Sequence, residues 1–200
     1  MKSYSHVVYI MMGLPASGKT TQRNGLRKAL TLRSGAPVTV SSDDFLDLMA
    51  DGQDITYNEA FKKYMSVADE SFWAALRLAV AINSPTIIVD RTNMTVKSRR
   101  RIIDAVQSIP GGERYKFVIA ECRATDEDIE ARNEQRAILG KKIPENVIDG
   151  MKKSYQQPNA EEHPDIVCWS YYDTSANKYH YIDFVSGEVI ERSLKDIERN

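Results

Sequence analysis

The sequence is short of cysteine, of long apolar runs and of net charge, and each shortage excludes something. Its cysteines are Cys122 and Cys168, too few for a disulfide framework, so the fold must rest on its own core. Buried, reduced thiols in a cytosol are the expectation. The longest continuous apolar run, residues 7–12, is far below the roughly 20 residues of a membrane-spanning helix. It leads into a glycine-rich loop instead of a cleavage site, so neither a targeting nor a membrane segment is expected. With 27 Lys and Arg against 28 Asp and Glu, the net charge is −1. Any polyanionic partner must therefore be met by a local patch. The 200 residues suit one sizeable core with a small appendage.

What is present is an alternation of short β-branched runs with longer helical stretches. Strands are predicted at 6–12, 37–41, 86–90, 116–122 and 166–171, and helices at 18–32, 57–83, 96–108, 126–139 and 144–156. That order predicts a three-layer α/β fold with a mostly parallel five-stranded sheet. Alternation over 179–184, then Ser186-Gly187, then 188–190 predicts a β-hairpin. The expected organisation is a main domain over 1–172 with a C-terminal hairpin appendage over 173–200 packed on it. Ligands of such sheets lie at the carboxyl ends of the strands.

After the first strand comes Gly13-Leu14-Pro15-Ala16-Ser17-Gly18-Lys19-Thr20, followed by Thr21 in a helix. The pattern is that of a phosphate loop: glycines let the backbone N–H groups curl inward onto phosphate oxygens, and the helix adds the positive end of its dipole. Gly13, Pro15, Ala16, Ser17, Gly18, Lys19, Thr20 and Thr21 are thus candidate contacts of ATP or another nucleoside triphosphate. Lys19 should reach the β- and γ-phosphates, and the Thr20 hydroxyl suits magnesium.

Ser41-Ser42-Asp43-Asp44 follows the second strand. A carboxylate there can face the γ-phosphate from the acceptor side, and Asp43 is the candidate base. The competing role for Ser42, Asp43 or Asp44 is to cap a helix entering at Phe45. After the third strand, Asp90-Arg91-Thr92-Asn93 offers a carboxylate for a magnesium-bound water at Asp90. Arg91 is placed to meet an acceptor phosphate or to lie solvated at the surface; Thr92 and Asn93 bind phosphate or cap the helix near Val96. After the fourth strand, Arg132 and Arg136 stand at i, i+4 on one helix face. They suggest a lid over about 126–145 that brings guanidinium groups to the triphosphate; ordinary solvated ion pairs are the alternative. The break Gly140-Lys141-Lys142-Ile143-Pro144 suits a hinge.

Lys97, Arg99, Arg100 and Arg101 open a helix and read either as a nucleic-acid groove or as a solvated face. In the long helix, Phe61, Met65, Ala68, Phe72 and Leu76 recur at core spacing.

In this order of motifs the chain resembles the phosphate-loop kinases typified by the kinase domain of bacteriophage polynucleotide 5′-hydroxyl kinase. The resemblance runs from Val7 to about Tyr155 and rests on the phosphate loop, the Asp-Asp pair, Thr92-Asn93 before a basic helix, and Arg132-Asn133-x-x-Arg136 before the Gly/Lys/Pro break. It implies a P-loop kinase fold with a helical lid. Asp43 would be the general base, Lys19 and Thr20 would handle phosphates and metal, Arg136 would act on the donor, and Thr92 would contact phosphate. The implied cofactors are ATP and Mg2+, and the implied partner is a DNA or RNA acceptor with no membrane involved. The setting would be the cytoplasm, a host's if the gene is viral. The sequence departs from the family at Leu46, where an arginine usually clamps the acceptor's phosphate, and it has no Asp-x-Asp-x-[Thr/Val] phosphatase motif. Three acceptors are therefore expected in turn: a polynucleotide 5′-hydroxyl, the hydroxyl of a modified base in DNA such as 5-hydroxymethyluracil, or a small gluconate- or nucleoside-type molecule.

Overall fold

The run Val7–Met12 is apolar or aromatic throughout because it forms an inner strand covered on both faces. The computed structural model describes residues 4–173 and 178–193. In chain order the elements are β1 (Val7–Met12), α1 (Lys19–Ser34), β2 (Val38–Ser41), α2 (Ser42–Gln53), α3 (Tyr57–Ala81), β3 (Thr86–Asp90), α4 (Val96–Gln107), β4 (Lys116–Arg123), α5 (Asp126–Gln135), α6 (Glu145–Lys153), β5 (Ile166–Asp173), β6 (Lys178–Asp183) and β7 (Val189–Ser193). Short 3₁₀ turns occur at Gly112–Arg114 and Arg136–Leu139.

The strands form one sheet in the order β2-β3-β1-β4-β5-β6-β7. The first five are parallel and the last two antiparallel. From β1 the chain goes out to β2, returns through β3 beside β1, then crosses to β4 on the other flank. Strand order thus reverses at β1, the place where such sheets open a crevice for a ligand. The hairpin β6–β7 continues the same sheet. Its turn is held by the Asp183 carboxylate, which accepts from the N–H groups of Val185 and Ser186 at 2.8 and 3.0 Å. The parts of the expected appendage at 174–177 and 194–200 lie outside the described residues.

Alternate residues of each strand supply two cores. Val8, Ile10, Ile87, Val89, Phe117 and Ile119 face Phe72 and Leu76 of α3 and Ile102 and Val106 of α4. Met11, Ile88 and Ala120 face Leu26 and Leu30 of α1. Each Val, Leu, Ile, Phe or Met side chain contributes about 1.5–3 kcal/mol when fully buried. Cys122 and Cys168 are buried and free, and burial pushes the Cys168 thiol up to about 12. Among the described residues no helix is long and apolar enough to cross a membrane.

The structure corrects the sequence reading at several points. A helix does follow the second strand, but it starts at Ser42 and its cap is Ser41, whose hydroxyl accepts from the Asp44 N–H at 3.2 Å. Asp43 and Asp44 are thus first-turn residues, favoured there by the helix dipole. Phe61 is 45% exposed, since the inner face of α3 runs through Tyr57, Ala60, Ala68, Phe72 and Leu76. Lys97, Arg100 and Arg101 of the basic segment are exposed, as a solvated face requires, and Arg99 alone departs from that reading. Arg99 is fully buried and ion-paired with Glu162, its Nε donating to the carboxylate at 2.8 Å. Arg100 Nε donates to the Glu162 carbonyl, and Arg101 lies over the Trp73 ring at 4.4 Å. Consecutive helical residues point about 100° apart, so Arg99 and Arg100 meet different groups of Glu162 while Arg101 turns to Trp73.

Candidate active site

The phosphate loop is shaped by backbone that side chains resist. Gly13 and Gly18 have φ of 145° and 97°, and Ala16 also lies at positive φ. A Cβ on Gly13 would stand 2.6 Å from the Cys122 carbonyl oxygen, so β4 presses directly on the loop. Gly13 N–H donates to the Thr92 carbonyl at 3.0 Å, which ties the loop to the end of β3. Gly18 precedes α1 and no side chain caps that helix. The N–H groups of its first turn are therefore open to an anion.

Lys19 sits inside this curl. Its ammonium donates to the carbonyls of Gly13 and Leu14 at 2.9 and 2.6 Å. Burial pushes it below its ordinary value, while the charges of Asp90 and Asp43 pull it back up and that of Arg136 adds to the lowering. Lys19 thus feels charge from several other segments of the chain. Asp90, 10% exposed, ends β3; burial pushes its carboxyl up, and Arg23 and Lys19 oppose the rise. Pro15 and Ser17 are buried, whereas Thr20 and Thr21 are exposed on the first turn of α1.

Arg132 reaches back over the loop, its Nη1 lying 3.5 Å from the Ala16 carbonyl oxygen, and it also pairs with Asp128 at 3.4 Å. Arg136 follows at the end of α5. Beyond it the expected lid helix breaks into the 3₁₀ turn Arg136–Leu139 and ends at Gly140, in the left-handed region. Asn133 fixes the returning chain: its amide donates to the Ile143 carbonyl at 2.8 Å and accepts the Ile143 N–H at 3.0 Å.

On the acceptor side, Asp43 is exposed and accepts a 3.0 Å hydrogen bond from the Tyr57 hydroxyl. Its neighbours depart from the sequence reading. Arg91 is committed to α3, ion-paired with Asp69 and lying 4.1 Å over the Phe72 ring. Asn93 is buried, and its amide donates to the Met11 carbonyl at 2.7 Å, so it buttresses β1 and does not line the crevice. Capping of α4 belongs to Thr95, whose hydroxyl accepts from Ser98 N–H in a reciprocal box, and not to Thr92 or Asn93. Leu46 is fully buried against Tyr57 and Ala68.

Arg23, Tyr57 and Lys141 were missed. Arg23 Nη1 bridges Asp44 at 2.9 Å and Asp90 at 3.0 Å, joining the ends of β2 and β3. Its spacing of four from Lys19 places both on one face of α1, a signal the sequence did carry. Lys141 pairs with Asp47 and lies 5.0 Å from the Tyr57 ring centre.

Two observations test whether this loop fits a nucleotide. Ser17 is 1% exposed and its hydroxyl has no hydrogen-bond partner. Lys19 rests on carbonyls that a phosphate can replace. Both fit phosphate oxygens. Among the described residues no three His, Cys, Asp or Glu side chains gather to hold a metal. Magnesium fits better through the Thr20 hydroxyl and a water on Asp90, because it keeps most of its shell from water and substrate phosphate.

Fold and site together define an ATP-dependent P-loop kinase. A family model described as an AAA domain (AAA_33) matches residues 8–158, and the chain belongs to that family. Among solved structures, the AvrRxo1-ORF1:AvrRxo1-ORF2 complex with ATP matches with a TM-score of 0.68 and 16% identity, over 98% of this chain and 64% of that one. The Pnkp1/Rnl/Hen1 RNA repair complex matches with a TM-score of 0.55 and 20% identity, over 76% and 45%. A fungal RNA kinase matches with a TM-score of 0.51 and 15% identity, over 86% and 76%. At such identities the likeness is one of fold. No curated protein sequence matches the chain.

Proposed function

We propose that the chain transfers the γ-phosphoryl of ATP to a hydroxyl of a nucleic acid, with a polynucleotide 5′-hydroxyl as the first acceptor. The observation that carries the transfer chemistry is the uncapped phosphate loop, with Lys19 resting on the Gly13 and Leu14 carbonyls, the Ser17 hydroxyl unpartnered, and Arg23 joining Asp90 to Asp44 beside Asp43. Lys19 and the loop backbone hold the donor phosphates. Asp43 takes the proton of the attacking hydroxyl as the phosphorus–oxygen bond forms, a role worth about 10²–10⁴-fold. The guanidinium of Arg136 meets the transferring phosphoryl and stabilises charge there. Magnesium, held through Thr20 and by way of Asp90, would neutralise charge on the β- and γ-phosphates. The nucleic-acid acceptor is supported by the order of motifs and by two RNA-handling proteins among the structural neighbours.

A second reading has its own observation. With Leu46 buried and Arg91 held by Asp69, the acceptor side lacks the usual clamp for a terminal nucleotide's phosphate. That favours a hydroxyl remote from such a phosphate, on a modified DNA base or on a small polyol. Label transfer from γ-labelled ATP to 5′-hydroxyl DNA, 5′-hydroxyl RNA, hydroxymethylated duplex DNA and small polyols separates these acceptors. Transfer to 5′-hydroxyl ends is expected, and transfer to polyols alone would overturn the nucleic-acid reading. Asp43→Asn should lower the rate by about 10²-fold or more while ATP affinity stays within a few-fold. If Asp44→Asn is the damaging change instead, the base is its neighbour.

A further inference from the structure

The corner between α2 and α3 belongs to none of the expected motifs, yet two parts of the site meet there. Helix α3 starts at Tyr57, and like any helix it leaves its first N–H groups without intrahelical partners. Thr56 takes one: its hydroxyl accepts the Glu59 N–H at 3.3 Å, and the Glu59 carboxylate accepts the Thr56 N–H in return at 2.8 Å. A second orphan, the Asn58 N–H, donates to the carbonyl of Gly140 at 3.1 Å. The lid therefore completes the cap of a helix that is not its own.

Further contacts hold it there. Gly140 comes so close that a Cβ would stand 2.8 Å from the Cβ of Thr56, and its φ of 62° is one that side chains resist. Lys141 pairs with Asp47 of α2 and lies over the ring of Tyr57. Tyr57 itself is 8% exposed, packed on Leu46 and Ala68, with only its hydroxyl directed to Asp43. Burial, and then the charge of Asp43, push its phenol above its ordinary value, so it remains a donor. The same lid carries Arg132 to the phosphate loop, its Nη1 3.5 Å from the Ala16 carbonyl oxygen.

We propose that Tyr57 is the positioning residue of the base, and that the Gly140–Lys141 segment latches over it when the lid closes. Closure over the donor and orientation of the acceptor's base are then one event. The proposal rests on Asp43 being the base. A carboxylate on an exposed first turn samples several rotamers. A donor fixed in the core selects one of them, and the latch keeps that donor in place.

The closing experiment uses the full chain, ATP and the panel acceptor with the highest turnover. Tyr57→Phe removes one hydroxyl and leaves the ring packing. It should lower kcat about tenfold with KM for ATP and acceptor within about two-fold and an unchanged melting temperature. In an Asp43→Asn background the same change should cost nothing more. Turnover of Tyr57→Phe within two-fold of wild type overturns the proposal, and so does an equal loss in both backgrounds. Were Asp43→Asn itself fully active, the reading of the base would fail instead, so the two failures are distinguishable. Amide hydrogen exchange reads the latch without any acceptor. ATP should slow exchange at the Asn58 N–H about tenfold or more, and Lys141→Ala should remove most of that slowing while leaving exchange within the sheet unchanged. Exchange at Asn58 that is indifferent to both ATP and Lys141→Ala overturns the latch.

Discussion

The lysine of the phosphate loop and the cations around the Asp-Asp pair are held in opposite ways. In the loop, Lys19 donates to the carbonyls of Gly13 and Leu14, while Arg132 is shared between the Ala16 carbonyl and Asp128. On the acceptor side each cation is held by a carboxylate: Arg23 by Asp44 and Asp90, Arg91 by Asp69, Lys141 by Asp47. A cation on a neutral carbonyl gains by exchanging it for a phosphate, whereas one already on a carboxylate must surrender an equal charge first. The donor is thus recognised by charge. On the proposed function, the acceptor is then selected by shape and by the reach of its hydroxyl to Asp43.

The largest effect tests the donor side. Lys19→Ala should abolish transfer to every acceptor and weaken ATP binding, because it removes the cation nearest the β- and γ-phosphates. Label transfer together with calorimetric ATP titration checks both, and retained turnover would break the phosphate-loop reading. Next is Arg136→Lys. A point charge cannot reproduce the planar fork on a transferring phosphoryl, so kcat should fall about 10²-fold or more with acceptor KM little changed. A kcat within about two-fold of wild type would make Arg136 an ordinary surface residue.

The same contrast explains what the sequence disclosed. The phosphate loop was legible because its chemistry constrains the backbone: Gly13 is required by the Cys122 carbonyl and by its positive φ, and both demands appear as a glycine at a fixed spacing. The five parallel strands were legible for a similar reason, since burial on both faces leaves an apolar run. The acceptor side was not, because an arginine's partner is a tertiary fact. Nothing near Arg91 in the chain announces Asp69, and nothing near Arg99 announces Glu162, 63 residues away. Tyr57 gave no signal at all, being one aromatic among several at the head of an amphipathic helix.

Glu162→Gln is the third test. It keeps the shape of the side chain but leaves Arg99 buried without its countercharge, and breaking a buried pair in this way costs about 3–5 kcal/mol. Denaturant unfolding should show that loss, with turnover per folded molecule retained at low temperature. A cost below about 1 kcal/mol would mean that Arg99 finds water and that the basic segment is more open than the packing suggests.

The smallest effect discriminates most sharply between the two sides. Arg91 directly follows Asp90, so it is the residue best placed to restore an acceptor phosphate clamp if its present contacts are expendable. Those contacts are an ion pair whose side chains are 20% and 34% exposed, worth about 0–1 kcal/mol after screening. Stacking over Phe72 adds about 0.5–1 kcal/mol. Asp69 would keep its other partner, the Trp73 indole N–H at 3.1 Å. Arg91→Ala should therefore cost roughly 1–2 kcal/mol, a fall of a few degrees in Tm. If the guanidinium stays with Asp69 during turnover, acceptor KM should remain within about two-fold. If it instead swings to an acceptor phosphate, each charged hydrogen bond lost costs about 1.5–3 kcal/mol, and KM for a 5′-hydroxyl polynucleotide should rise roughly tenfold or more. KM measured with 5′-hydroxyl DNA and with hydroxymethylated duplex DNA decides between them. A rise confined to the 5′-hydroxyl substrate would return Arg91 to the acceptor and dissolve the contrast between the two sides.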